Sequence, residues 1–410
     1  MLRSNGFRAR AALAALAMLA SSPGAAPLAH EGPHAADRPP WQQASPWPDR
    51  IVVTFADDPA RTIAVSWRTD TSVPGAQAQI VRATPYARFD VGAETVTART
   101  EVLDPTRIDV LAAVLPVPEN ATLPTVHYHS VLFTRLEPDT LYAYRVGAPD
   151  GKWSEWFHVR TAPVSGPITF LYLGDAQNGI LSHWARTVRA AYAKAPEARF
   201  ILHAGDLVNR GSRDFEWAQW FKSVGFIHGM VPAIPVAGNH EYPSFEVAPE
   251  RTQRVLSMLW RPQFRLPEEP DVPELLKETV YQVRYAPDLD VFVLDTTAPD
   301  VATQARWLDA RLAASKARWR VASFHHPIFS SGRDRDNAER RAALLPVLRK
   351  HRVDLVLQGH DHTYARGTFP QTPERVAARR GEWVESMYVN SVSGPKMYEF
   401  SAGGWDRYAD

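Results

Sequence analysis

The sequence predicts two domains, an all-β sandwich followed by an α/β domain, and three observations carry that prediction. Between Arg50 and Thr161 the chain offers short β-branched and aromatic runs split by turn-forming residues. From Ile168 onward, strand-like runs alternate with helical stretches, the pattern of an α/β sheet. Five of those later runs end in glycine or histidine beside side chains that bind metals. With 410 residues the chain is long enough for two cores.

Composition narrows the partners. Hydrophobic residues make up 45% and charged residues 22%, the balance of a globular protein. A formal net charge of +1 gives no reason to expect a nucleic acid or an anionic membrane surface as the main partner. The 34 prolines against 22 glycines favour fixed turns over a helical bundle. There is no cysteine, so a metal site must rest on oxygen and nitrogen donors.

Residues 1–29 read as an export signal. Arg3, Arg8 and Arg10 precede a short apolar run over 11–20, and small residues offer cleavage near Ala26 or Ala29. That run falls short of the ~20 residues a spanning helix needs, so no stable membrane insertion is expected. The mature protein is then periplasmic or secreted. Residues 30–47, rich in Pro, Ala and His, form a flexible lead-in.

The first domain, 48–163, shows alternating runs at 51–55, 62–67 and 126–133. Its run Leu136-Glu137-Pro138-Asp139-Thr140-Leu141-Tyr142-Ala143-Tyr144 resembles the E–F corner of a fibronectin type III-like sandwich, with Trp67 as the core indole. His127 and His129 share one strand face, but no carboxylate accompanies them in sequence and packing is their expected role. The domain reads as a structural or docking module.

The second domain, 164–410, carries the chemistry. Successive strands end in Gly174-Asp175-Ala176-Gln177, in Gly205-Asp206-Leu207-Val208-Asn209-Arg210, in Gly238-Asn239-His240, in His325-His326-Pro327, and in Gly359-His360-Asp361-His362. In open α/β sheets ligands collect beyond the carboxyl ends of the strands, so these loops should share one crevice. A glycine there lets the backbone turn sharply and come close to the ligand. One Gly-Asp alone is an ordinary helix cap. Five ends in order, offering Asp, Asp, Asn, His and His-x-His, point instead to a two-metal centre.

This ordered set resembles the calcineurin-like metallophosphoesterases. With the β domain in front, the chain is most similar to their purple acid phosphatase branch, over nearly everything from Arg50 to Tyr398. The resemblance implies an αββα-type catalytic sandwich and two metal ions drawn from iron, zinc and manganese. Asp206 would bridge both ions, Asp175 and His362 would hold the first, and Asn239, His325 and His360 the second. His240 matches the catalytic histidine, Arg210 a phosphate-gripping arginine, and His326 a residue that orients a ligand. Arg333 and Arg335 are further phosphate-clamp candidates, while Tyr364 and Asn390 line the pocket or pack the core.

Two positions depart from the pattern. Purple acid phosphatases place a ligand tyrosine three residues after the bridging aspartate, and here that residue is Asn209. Many other members place a histidine two residues after the first aspartate, and here it is Gln177. The first ion is left to be completed by Gln177 or Asn209, through a carbonyl oxygen, or by water. The implied function is an exported phosphoesterase that cleaves monoesters of small molecules or phosphoproteins by in-line attack of a metal-bound hydroxide. A diesterase or nucleotidase on the same site is one alternative, and a catalytically silent binding protein is the other. The acidic, Pro-rich segment 242–280 reads as a lid or a dimer surface.

Overall fold

The computed structural model describes residues 39–105, 123–248, 251–368 and 385–408. The expected export signal and the start of the lead-in lie outside the described residues. Among those described, no helix is long and apolar enough to cross a membrane.

Eight strands come first: β1 (Asp49–Thr54), β2 (Ile63–Asp70), β3 (Gln77–Arg82), β4 (Glu94–Thr97), β5 (Arg99–Leu103), β6 (Val126–Phe133), β7 (Leu141–Gly147) and β8 (Phe157–Arg160). They form two layers, β4-β3-β7-β8 and β5-β6-β2-β1, as expected for the sandwich. Trp67 is fully buried between them with Val53, Val65, Phe133 and Tyr144. The Tyr142 hydroxyl accepts a hydrogen bond from the Glu137 amide at 2.9 Å, which pins the E–F corner. His127 donates from Nδ1 to the Val73 carbonyl at 2.8 Å, and the His129 ring nitrogens meet the Thr69 and Thr100 hydroxyls at 2.8 and 2.9 Å. Both histidines are therefore occupied in holding their sheet.

The α/β part begins with β9 (Leu171–Leu173), α1 (Ala185–Lys194), β10 (Ile201–His203), α2 (Asp214–Val224), α3 (Ile227–Met230) and β11 (Ala233–Pro235). A hairpin of β12 (Ser244–Ala248) and β13 (Arg251–Arg254) follows. Then come β14 (Tyr281–Ala286), β15 (Leu289–Val293), α4 (Val301–Ala314), β16 (Trp319–Ser323), α5 (Ala338–Lys350), β17 (Leu355–Gln358), β18 (Ala365–Gly367) and β19 (Met387–Asn390). The last six strands form a mixed sheet, β14-β15-β16-β17-β19-β18, parallel through its centre. Side chains of both sheets and of α1, α2, α4 and α5 enter one core.

The sequence did not reveal how the two parts join. They share a sheet: β1 pairs antiparallel with β2 on one side and parallel with β11 on the other. The seven-stranded order is β5-β6-β2-β1-β11-β10-β9. Alternation along β1 then serves two cores, because Val53 faces the sandwich interior and Val52 the α/β interior. Tyr144 crosses the same boundary, donating its hydroxyl to the Gly229 carbonyl at 2.7 Å. Tyr144→Phe should cost about 1–3 kcal/mol, because a buried carbonyl loses its donor. Urea denaturation would test this, and a change below the measurement error would show that water replaces the bond.

The segment after the hairpin does not behave as a free lid. Leu259, Trp260, Phe264 and Leu266 are buried in the α/β core. The Arg265 carbonyl accepts from the Thr54 hydroxyl at 2.5 Å, so this stretch wedges against β1.

Candidate metal centre

All five ligand-bearing loops leave the carboxyl ends of their strands and converge, as α/β sheet geometry requires. Donor atoms of Asp206, His325 and His360 lie within 4.8 Å of one another, and so do those of Asp175, Asp206 and His362. Asp206 belongs to both groups. Asn239 joins the first, its Oδ1 lying 3.1 Å from His325 Nε2 and 2.7 Å from His360 Nδ1.

The backbone is bent to bring these groups together. Asp175, Asp206 and His360 all adopt positive φ, at 48°, 52° and 70°. Left-handed backbone in non-glycine residues is uncommon and concentrates at functional sites. Glycines permit the tight approach: a Cβ on Gly238 would sit 2.3 Å from Asp206 Oδ1, and one on Gly359 would sit 2.5 Å from Asp175 Oδ2.

Hydrogen bonds fix which nitrogen faces the centre. His325 Nδ1 donates to the Ala204 carbonyl at 2.9 Å, and His362 Nδ1 to the Lys396 carbonyl at 2.9 Å. Each therefore turns Nε2 toward the acids, the orientation usual for a histidine that binds metal. Burial pushes the Asp175 carboxyl well above the usual range, and the Asp206 charge adds to it. Burial also opposes charge on His325, yet Asp206 and Asp175 push that imidazole up to about 9. The His325 shift reports the negative charge of the neighbouring carboxylates. The donor set is all nitrogen and oxygen, which suits first-row transition metals.

The Gln177 side chain reaches two of the candidate ligands. Its carboxamide nitrogen lies 2.8 Å from Asp206 Oδ2 and 3.0 Å from His362 Nε2, while its Oε1 is buried with no hydrogen-bond partner. Exchanging the two ends of the amide is a half-turn about one bond. That half-turn would aim the orphaned oxygen at the point where Asp206 and His362 converge. Asn209 contributes its backbone carbonyl to His240 Nδ1 at 2.5 Å. His240 Nε2 then points inward, 3.8 Å from Asp206 Oδ2. His326 hydrogen-bonds Thr296 through Nδ1 at 2.9 Å, and its ring lies 4.2 Å from that of His360.

The arginines divide. Arg210 is exposed and lines a cavity with Asn239 and His240. Arg333 is exposed and pairs with Glu399, and Arg335 Nε donates to Asp361 at 2.7 Å. Tyr364 is largely exposed.

Two residues support these loops, and of them the sequence singled out only Asn390, as a pocket-lining or packing residue. The buried Glu241 carboxylate accepts from the amides of Asp206, Leu207, Val208 and Gly238 at 2.7–3.3 Å, tying two ligand loops together. Burial, with the Asp206 charge beside it, pushes this carboxyl up to about 8. Asn390 donates from Nδ2 to the carbonyls of Asp361 and Thr363 at 2.7 and 3.0 Å, on either side of His362. The Asp361 carboxylate meanwhile accepts from the Ser331 and Gly332 amides. Asn390→Ala should weaken metal binding about 10–100-fold. Titration with a chelator-buffered metal would show it, and unchanged affinity would make Asn390 a packing residue only.

The fold is that of the calcineurin-like phosphoesterase class. Residues 168–364 match the calcineurin-like phosphoesterase domain. Residues 48–161 match the purple acid phosphatase N-terminal domain. It is 25% identical over 336 residues to the phosphoenolpyruvate phosphatase of Allium cepa, covering 78% of this chain and 63% of the relative. It is 26% identical over 265 residues to probable purple acid phosphatase 20 of Arabidopsis thaliana, covering 60% and 59%. The chain thus spans about six tenths of the length of these curated relatives. The structure of the purple acid phosphatase PPD1 from yellow lupin superposes with a TM-score of 0.67 at 18% identity, over 86% of this chain and 66% of that one. At such identity the likeness concerns the fold.

Proposed function

We propose that this protein is an exported phosphatase that cleaves phosphate monoesters at a two-metal centre. The observation that carries the reading is the pair of ligand clusters sharing Asp206. Asp175, Asp206, His362 and the Gln177 carbonyl oxygen would hold one ion, and Asp206, Asn239, His325 and His360 the other. When bound, the ions would neutralise phosphate charge and activate the attacking water. Relatives named as phosphoenolpyruvate phosphatase and purple acid phosphatase support the monoester as substrate class.

The chain's own groups supply the rest. His240 keeps Nδ1 engaged with the Asn209 carbonyl, so Nε2 is the atom that would hand a proton to the leaving oxygen. Arg210, on the same cavity, would steady the phosphate. His326, against the His360 ring, would set that ligand's orientation.

His240→Ala should lower kcat by about 10²-fold while metal content stays that of wild type. A variant that loses its metal instead would reassign His240 as a ligand. The overall reading is tested by metal analysis alongside rates on p-nitrophenyl phosphate and bis(p-nitrophenyl) phosphate. The monoester should be the faster substrate. A metal-replete protein that turns over neither ester would leave a binding protein, and faster diester cleavage would make it a diesterase.

A further inference from the structure

A cavity of 320 Å³ opens between the sandwich and the segment after the hairpin, and none of the candidate metal ligands lines it. That volume falls at the lower end of the ~300–1,000 Å³ of small-molecule sites. One wall is the outer face of the sheet that holds β5, β6 and β2, the face opposite to Trp67. Arg99 of β5 stands opposite Ser130 of β6, and Ser130 opposite Ser66 of β2. Their side chains therefore form one cross-strand row on that face. The facing wall includes Arg261, Phe264 and Arg265. It is held in place where the Thr54 hydroxyl of β1 donates to the Arg265 carbonyl at 2.5 Å.

Three groups around this space want a partner. Ser66 is 1% exposed, and its Oγ is buried without a hydrogen-bond partner. Folded proteins seldom leave a buried hydroxyl in that state. Among the described residues, neither the Arg99 nor the Arg265 guanidinium forms a hydrogen bond or an ion pair. Burial holds the Arg265 guanidinium below the ordinary arginine value, and Arg99 repels it more strongly than Glu268 or Glu278 attracts it.

The acids of the cavity do not supply the missing counter-ion. Glu274 pairs with Lys277 at 2.7 Å, and Glu278 lies 3.9 Å from Arg261. Burial pushes the Glu278 carboxyl up to about 7, against the pull of Arg261 and with help from Glu268 and Glu101. Its charge is thus partly lost near neutral pH. Two guanidiniums that repel one another lose that repulsion when an oxyanion lies between them.

We infer that this cavity is an oxyanion site separate from the metal centre, where Arg99 and Arg265 hold a phosphate or carboxylate group of a small molecule and the Ser66 and Ser130 hydroxyls donate to it. A guanidinium takes either oxyanion in a bidentate pair. The ligand would touch three strands of the sandwich and the segment wedged against β1, so its binding would stabilise their junction. The site does not depend on the phosphatase reading above.

Inorganic phosphate and succinate serve as the probes, titrated by calorimetry into metal-loaded wild type, Arg99→Gln and Arg265→Gln. Inhibition of p-nitrophenyl phosphate hydrolysis by phosphate is measured on the same preparations. Wild type should bind an anion at a site that does not compete with the ester. Either variant should weaken that binding by about tenfold or more, while kcat/KM and competitive inhibition by phosphate stay within about twofold of wild type. Arg99 is exposed, so Arg99→Gln keeps the test open if Arg265→Gln fails to fold. Binding of only one of the two probes would identify the group as phosphate or carboxylate, each supporting the site. If all bound phosphate competes with the ester and succinate does not bind, the site is overturned. Non-competing binding that both variants leave intact overturns it as well. If no ester is hydrolysed yet anion binding falls in the variants, the phosphatase reading fails and the site stands.

Discussion

Asp206→Asn should reduce phosphatase activity by ~10³-fold or more and leave less than a full pair of metals per chain. Asp206 is the one carboxylate common to both ligand clusters. Its Oδ1 accepts from the His240 amide at 2.9 Å, and its Oδ2 lies 3.1 Å from His325 Nε2. Asparagine keeps this shape but removes the charge and replaces one acceptor oxygen with a donor NH₂. Losing ~4 kcal/mol of charge stabilisation at the transition state corresponds to about 10³-fold in rate. Elemental analysis and p-nitrophenyl phosphate turnover on the same preparation decide the matter. Two ions retained with activity within tenfold of wild type would remove Asp206 as the shared ligand.

Asp214→Ala should be the most damaging single change to stability away from the centre. Asp214 sits at the start of α2 and meets Arg50 of β1 at 2.8 Å and Arg68 of β2 at 3.6 Å, with all three side chains at most 7% exposed. Burial disfavours charge on Arg68, yet Asp49 and Asp214 hold its pKa above the ordinary arginine value. Asp49 stays with Arg68 when Asp214 is removed, through bonds of 2.9 and 2.6 Å. Arg50 keeps only neutral partners such as the Tyr128 hydroxyl and the Gln263 carboxamide. An uncompensated buried charge of this kind costs about 3–5 kcal/mol. The double change Arg50→Met with Asp214→Leu should recover most of the loss, because it removes both charges together. Urea denaturation of wild type, Asp214→Ala and the double variant measures both effects. A single-mutant loss below ~1 kcal/mol would mean that water reaches Arg50.

The ligand loops were legible because their signal is local. Each strand end carries its glycine or histidine and its donor within a few residues, so order alone exposed the set. Roles that act through distant backbone were not legible. Glu241 caps amides of another loop, and Asn390 grips carbonyls on either side of His362, so only the folded chain shows what they touch. Spacing left Gln177, Asn209 and water all open, because it does not encode side-chain direction. Segment 242–280 misled through composition: its acids and prolines suggested exposure, while Trp260 and Phe264 are fully buried. β1 concealed its role because an apolar run does not say whether one face or two are covered.

The sheet shared through β1 also sets an order of events during synthesis. The sandwich strands emerge first, but the β1 edge, Val52 and Tyr128 gain their cover only after β11 has been made. At ~5–20 residues per second, the stretch from the end of β8 to the end of β11 takes about four to fifteen seconds. For that time the nascent chain presents a bare strand edge and an apolar face, the features that invite pairing with a neighbouring chain. A fragment ending near residue 163 would remain in that state permanently, so the β domain is expected to aggregate when expressed without its partner.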